Sequence, residues 1–169
     1  MIEVLRSPAD RIILDLRNNP GGFLEVSQDI AGWFVEAGSV VAIEDFGDGK
    51  TIEYKSSGNG VLKNVPVVVL INEGSASASE ILAGALRDLR GVKLVGVKSF
   101  GKGSVQELAN LSKGTSLKVT VAKWLTPSKK SIMNDGLEPD VKVEMSKDDI
   151  ENMKDPQLEK AIEIITNFQ

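Results

Sequence analysis

The chain of 169 residues contains no histidine and no cysteine, which removes Ser-His-Asp and Cys-His chemistry and leaves serine or threonine paired with lysine as the way to build an activated nucleophile. Two stretches fit that chemistry. Ser77 lies in Asn72-Glu73-Gly74-Ser75-Ala76-Ser77-Ala78-Ser79-Glu80-Ile81, where an apolar helix begins, and Lys102 lies between glycines in Phe100-Gly101-Lys102-Gly103-Ser104-Val105-Gln106. A serine at a helix start is exposed, and the free N–H of the next residue, Ala78, points to where a tetrahedral oxyanion would form. A lysine is a base only when neutral, so its pKa of ~10.4 must fall by about three units through burial, a cost of roughly 4 kcal/mol supplied by the fold. Glycines on both sides of Lys102 would let the backbone pack closely and turn the side chain inward. Gly21 or Gly22, in a Pro-Gly-Gly turn, could provide a second oxyanion donor. Gln106, one step into the following segment, could hold the amine by hydrogen bonding.

Each of these residues also has a plainer reading. Ser77-Ala78-Ser79-Glu80 satisfies the Ser-x-x-Glu capping box, so Ser77 alone reads as a helix N-cap. Lys102 alone reads as a solvated turn lysine, Asn19-Pro20-Gly21-Gly22 as a plain turn, and Gln106 as a surface strand residue. Asp88 returns to nearly the same helix face as Ser77, and a helix-end aspartate is most often solvated or paired with an arginine such as Arg87 or Arg90.

The elements that must position these residues follow from the hydrophobic pattern. Arg11–Leu16 and Val67–Ile71 are short branched apolar runs, expected to be buried strands, and each ends in a turn-forming segment. A helix is expected after the first, carrying Leu24, Ile30, Ala31 and Phe34 up to Ala37-Gly38. Another is expected over Ala78–Leu89, with Ile81, Leu82, Ala85, Leu86 and Leu89 on one side. Val40–Glu44 and Thr51–Lys55 flank Phe46-Gly47-Asp48-Gly49, the composition of a hairpin turn. A strand is expected at Lys93–Val97, and a second antiparallel pair at Val105–Leu108 and Ser116–Trp124. The tail Gln157–Phe168 has apolar residues at helical spacing and should dock on the core. Alternating strands and helices give the α/β class. The length suits one domain, 1–169. Met1–Val4 are expected to lead almost directly into a strand, which favours a core cut from a longer, exported precursor.

Several classes are disfavoured. A net charge of −4 and the absence of a basic stripe with interleaved aromatics argue against nucleic acid. No apolar run reaches the ~18 residues of a membrane span, and the N-terminus lacks the layout of a signal peptide. Gly47-Asp48-Gly49-Lys50-Thr51 ends like a P-loop, but Glu44 stands where that motif needs its first glycine. Without histidine or cysteine, no metal site is legible, and Asn134–Asp140 lacks calcium-loop spacing. No cofactor is called for.

Taken together, the segments resemble the carboxyl-terminal processing, or tail-specific, serine peptidase family. The resemblance spans nearly the whole chain. It rests on Leu14-Asp15-Leu16-Arg17-Asn18-Asn19-Pro20-Gly21-Gly22, on Asn72–Leu86, on Phe100–Gln106, on Trp124-Leu125-Thr126-Pro127-Ser128 and on Gly136-Leu137-Glu138-Pro139-Asp140, in the family's order. The resemblance implies Ser77 as nucleophile, Lys102 as general base, Gln106 as the residue that orients the lysine, and the amides of Ala78 and Gly21 or Gly22 as the oxyanion hole. Asp88 is implied as a supporting carboxylate, ranked below the dyad. The implied fold is a Clp-protease/crotonase-like core of β-β-α units with additional antiparallel strands. The implied substrates are proteins or peptides with apolar C-termini, the implied location is the periplasm, cell envelope or organelle lumen, and a homo-oligomer is left open. Two departures stand out. Lys129-Lys130 occupy positions where glycine is common in relatives, and the PDZ domain that captures C-termini does not precede Met1. The rival readings are a catalytically inactive binding or scaffold domain of the same fold and, more weakly, an enolate-stabilising enzyme of crotonase type.

Overall fold

In the computed structural model, which describes residues 2–168, the chain runs α1 (Ile2–Arg6), β1 (Ile12–Asp15), α2 (Leu24–Phe34), β2 (Val40–Asp45), β3 (Thr51–Lys55), β4 (Val67–Ile71), α3 (Ala78–Arg90) and β5 (Lys93–Gly96). It continues through β6 (Ser104–Asn110), β7 (Ser116–Leu125), β8 (Val141–Lys142), α4 (Lys147–Glu151) and α5 (Pro156–Thr166). Every residue of β4 is buried. Its unbroken Val-Val-Val-Leu-Ile run is what a strand covered on both faces requires.

That strand lies inside a parallel sheet of order β1-β4-β5-β8. Val67, Val69 and Ile71 pack with Phe34 of α2 and Ile81, Leu82 and Leu86 of α3 in the main core. The alternate residues Val68 and Leu70 pack against Ala161 and Ile165 of α5. The period-two alternation of side chains thus sends two sets of apolar groups into two layers. A second, antiparallel sheet has the order β3-β2-β7-β6, and the outer parts of β6 and β7 form a ribbon exposed to solvent.

The register of the parallel sheet determines where the chain turns. Asp15 pairs with Leu70, so β1 and β4 leave the sheet side by side, one into residues 16–23 and the other into 72–77. Buried Ser75 ties these turns together, its hydroxyl donating to the Leu16 carbonyl at 2.7 Å. The Ala76 amide donates to the Asn19 carbonyl at 3.0 Å. Asn18 and Asn72 exchange hydrogen bonds, Asn18 N–H to Asn72 Oδ1 at 2.8 Å and Asn72 Nδ2 to Asn18 Oδ1 at 3.0 Å. Behind them Arg17 grips Asp155 with both terminal nitrogens, each at 2.8 Å, and also Asp15. The Arg17 guanidinium holds the Asp155 carboxyl below the usual range, and this fork joins the start of α5 to the end of β1.

The strand and helix pattern expected from the sequence is present, including the C-terminal helix docked on the sheet. Three features differ. Residues 2–6 form the helix α1 rather than leading into a strand, and Ser7-Pro8 follows it, with proline excluding continuation. The two-residue β8 was too short to give a periodic signal. In α4 no residue is buried, so it has no apolar stripe, although its Ser146–Asp149 capping box was readable.

Candidate active site

Ser77 sits between β4 and α3 with φ 58° and ψ −120°, a region that residues with a side chain rarely occupy. Helix N-caps usually take extended backbone angles, whereas Ser77 departs from them while still forming the capping box with Glu80. The Ser-x-x-Glu box is closed from its glutamate side, where Glu80 accepts the Ser77 amide at 2.8 Å.

Pro20-Gly21-Gly22 lies directly against this turn. Gly21 has φ +88°, and a Cβ there would meet the Ala76 carbonyl oxygen at 2.5 Å, the Ala78 nitrogen at 2.7 Å and Ser77 Cβ at 3.0 Å. The close approach requires glycine. The Gly21 amide donates to Asn19 Oδ1 at 3.0 Å, whereas the Gly22 amide has no hydrogen bond among the described residues and a Cβ at Gly22 would meet nothing within 4 Å. Gly21→Ala is expected to lower stability by about 1–3 kcal/mol and, by displacing the serine turn, the rate of serine labelling by about 10²-fold. Gly22→Ala should change both little, as judged by thermal melts and a labelling time course.

Beside Gly21 a cavity of about 210 Å³ is lined by Leu16, Gly21, Phe23, Val26, Ile30 and Leu82, among others. Phe23 and Val26 are exposed at 77% and 50%. Its walls are mainly apolar, and Ala78 also borders it.

Lys102 reaches the site through its backbone. Glu80, with 0% exposure, accepts the amides of Gly101 and Lys102 at 2.8 and 2.9 Å. Gly103 is packed onto the backbone of Ile132 and Met133, as the glycine spacing anticipated. The Lys102 side chain, by contrast, is exposed. The loop buries its amides and directs the lysine outward, so the expectation of an inward side chain is corrected.

Gln106 is also exposed and is not bonded to Lys102. A register break between Val105 and Gln106 interrupts the β6–β7 ladder, and the side-chain amide donates to Thr120 Oγ1 at 3.5 Å. Asp88 accepts the Ser128 amide at 2.9 Å. Burial pushes its carboxyl up, but hydrogen bonds from Thr126 and Ser128 and the neighbouring Arg87 bring it below its ordinary value. Its partners are thus the 126–128 turn and Arg87.

The structure brings together the Ser77 backbone, the Ala78 amide, the two glycines and the Lys102 loop. Glu80 entered the sequence reading only as a capping residue, and Ser99, which donates to it at 2.5 Å, did not enter at all. Glu80's full burial was foreshadowed only by its place in an apolar helix. Ser99 carried no local signal.

A family profile described as peptidase family S41 matches residues 1–143. The chain is 44% identical over 162 residues to a carboxyl-terminal-processing protease of Synechocystis sp., covering 94% of this chain and 37% of that protein. It is 43% identical over 133 residues to a probable CtpA-like serine protease of Staphylococcus haemolyticus, covering 78% of this chain and 27% of the relative. Among solved structures, the photosystem II D1 C-terminal processing protease superposes with a TM-score of 0.77 at 35% identity, over 84% of this chain and 36% of that one. The chain therefore spans about a third of the length of such relatives, and its α/β core has the Clp-protease-like arrangement of this group. With the serine turn, the glycine turn and the lysine loop meeting on that fold, the chain belongs to peptidase family S41, the carboxyl-terminal processing serine peptidases.

Proposed function

We propose that this chain is the catalytic core of a serine endopeptidase that cleaves proteins near their C-termini through an acyl-enzyme on Ser77, with Lys102 as general base. The observation that carries the reading is the strained Ser77 turn, φ 58° and ψ −120°, pressed against Gly21. Backbone strain of this kind persists where the surroundings hold it and a reacting group needs it.

Attack of Ser77 Oγ on a substrate carbonyl places the developing oxyanion near the N1 amide of α3, Ala78, and near the Gly22 amide. Gly21 supplies clearance and hands its own N–H to Asn19. Both donors are fixed before the reaction by the Asn18–Asn72 exchange and the Ser75–Leu16 bond, so little reorganisation accompanies charge development. The proton leaves Ser77 for Lys102 and is then delivered to the departing amine. Water attacks the acyl-enzyme by the reverse path.

An exposed ammonium is well hydrated and a poor base. A peptide lying across the site excludes water from it, so substrate binding completes the base. Gln106 is assigned to steadying the amine once the cleft is covered. Asp88 acts through the 126–128 turn. The apolar cavity beside Gly21 suits an apolar side chain next to the scissile bond, in keeping with substrates that have apolar C-termini. By the same family reading the protein acts outside the cytoplasm.

The test is cleavage of an unfolded protein carrying an apolar C-terminal tail, with fragments identified by mass spectrometry. Cuts near the tail after apolar residues are expected. A chain that binds the tail but releases no fragments, in a preparation whose Ser77 also resists acylation, supports the scaffold reading instead.

A further inference from the structure

We propose that Glu80 is a positioning residue that sets the separation between the nucleophile and its base, an inference that rests on the Ser77–Lys102 reading above. The carboxylate has 0% exposure, and an ionised carboxylate is tolerated there only when its lone pairs are filled. They are filled by four donors. Oε2 accepts the Ser77 amide at 2.8 Å and the Lys102 amide at 2.9 Å, and Oε1 accepts the Gly101 amide at 2.8 Å and the Ser99 hydroxyl at 2.5 Å. A single oxygen thus joins the backbone of the serine to the backbone of the lysine, and the two amides cannot separate further than those two bonds permit.

A capping role needs only the Ser77 bond. The other three donors lie 19 to 22 residues downstream, in residues 97–103, which have no helix or strand of their own. This stretch belongs to no ladder and is held by separate backbone bonds, Phe100 N–H to the Ser75 carbonyl at 3.0 Å, Ser99 N–H to the Leu137 carbonyl at 3.1 Å, Asn134 N–H to the Gly101 carbonyl at 3.0 Å and Trp124 N–H to the Gly103 carbonyl at 2.7 Å, by the Ser99–Leu137 contact at 2.7 Å, and by Glu80, the side chain that bonds both this loop and the Ser77 amide. Glu80 itself is fixed in the first turn of α3, on the same rigid element as the oxyanion donor Ala78. A displacement of about 1 Å between reacting groups lowers rates by ~10²-fold, so a carboxylate that ties both backbones together acts on the reaction without touching substrate.

The test is a double-mutant cycle on the full chain, read by acylation of the serine with a small fluorophosphonate and by steady-state peptide cleavage. Glu80→Gln keeps the shape but turns an N–H2 group toward donors that need an acceptor. It is expected to lower kcat by about 10²-fold with KM within about threefold. In a Lys102→Ala background, where only the slow residual acylation remains, Glu80→Gln should change the rate by less than about threefold, because the separation it sets no longer matters. An equal loss in both backgrounds would overturn the proposal and assign Glu80 to the fold or to Ser77 alone. If Glu80→Gln does not fold by circular dichroism, Ser99→Ala takes its place. That variant removes one of the four donors and should lower kcat roughly five- to tenfold with the same dependence on Lys102; additivity there would overturn the proposal as well. Failure of the underlying dyad is distinguishable, because it appears as wild-type acylation in Lys102→Ala alone.

Discussion

Ser77→Gly is expected to abolish acylation and cleavage, by roughly 10⁴–10⁶-fold, while leaving the protein at least as stable as Ser77→Ala. The rate loss follows from removing the nucleophile. The stability ordering follows from φ 58° and ψ −120°, which cost a residue with a Cβ about 1–3 kcal/mol and cost glycine little. Glycine gives back about 0.5–1 kcal/mol through the extra freedom of the unfolded chain, so the net change favours it modestly. Ser77→Ala keeps the Cβ and the strain. Its melting midpoint should lie at or modestly below that of the parent chain, since the capping box with Glu80 contributes at most about 1 kcal/mol. Thermal melts of the three proteins, run beside the cleavage assay, check both halves. A serine that served only as a cap would leave Ser77→Ala about 1 kcal/mol and Ser77→Gly a few tenths less stable, with cleavage retained in both.

Lys102→Arg is expected to be as inactive as Lys102→Ala, each falling roughly 10⁴–10⁶-fold below the parent in kcat/KM. Arginine preserves the positive charge and the length, and its backbone would keep the Gly101 and Lys102 amides on Glu80. It cannot give up its proton at any working pH. Electrostatic support alone would therefore survive the change, whereas base catalysis would not. Neither substitution should move the melting midpoint much, since the side chain is exposed. A substantially active Lys102→Arg protein would remove lysine as the base.

Much of the core was legible because its signals are local and periodic. Val67–Ile71 reads as a doubly covered strand from five consecutive branched residues, and α3 reads from Ile81, Leu82, Ala85 and Leu86. The hairpin at Phe46–Gly49 was legible from turn chemistry. The site was legible as far as residue types went. The geometry that joins it was not, because its links run between distant segments through backbone groups. Ser75 to Leu16, Asn72 to Asn18 and Glu80 to Lys102 have no spacing signature. Glu80 illustrates the limit. Its cap role needs a local pattern of three residues, while its other partners lie in a loop whose position only the tertiary structure sets. The outward Lys102 has the same origin, since flanking glycines determine how closely a backbone packs and leave the side-chain direction to what binds the amides.

The most direct test is site mapping of acylation: treat the chain with a fluorophosphonate, digest it and locate the adduct by tandem mass spectrometry. The account predicts a single adduct on Ser77, absent from Ser77→Ala and strongly reduced in Lys102→Ala. An adduct on Ser75 or Ser79, or no adduct on a folded chain that still cleaves protein, would contradict it.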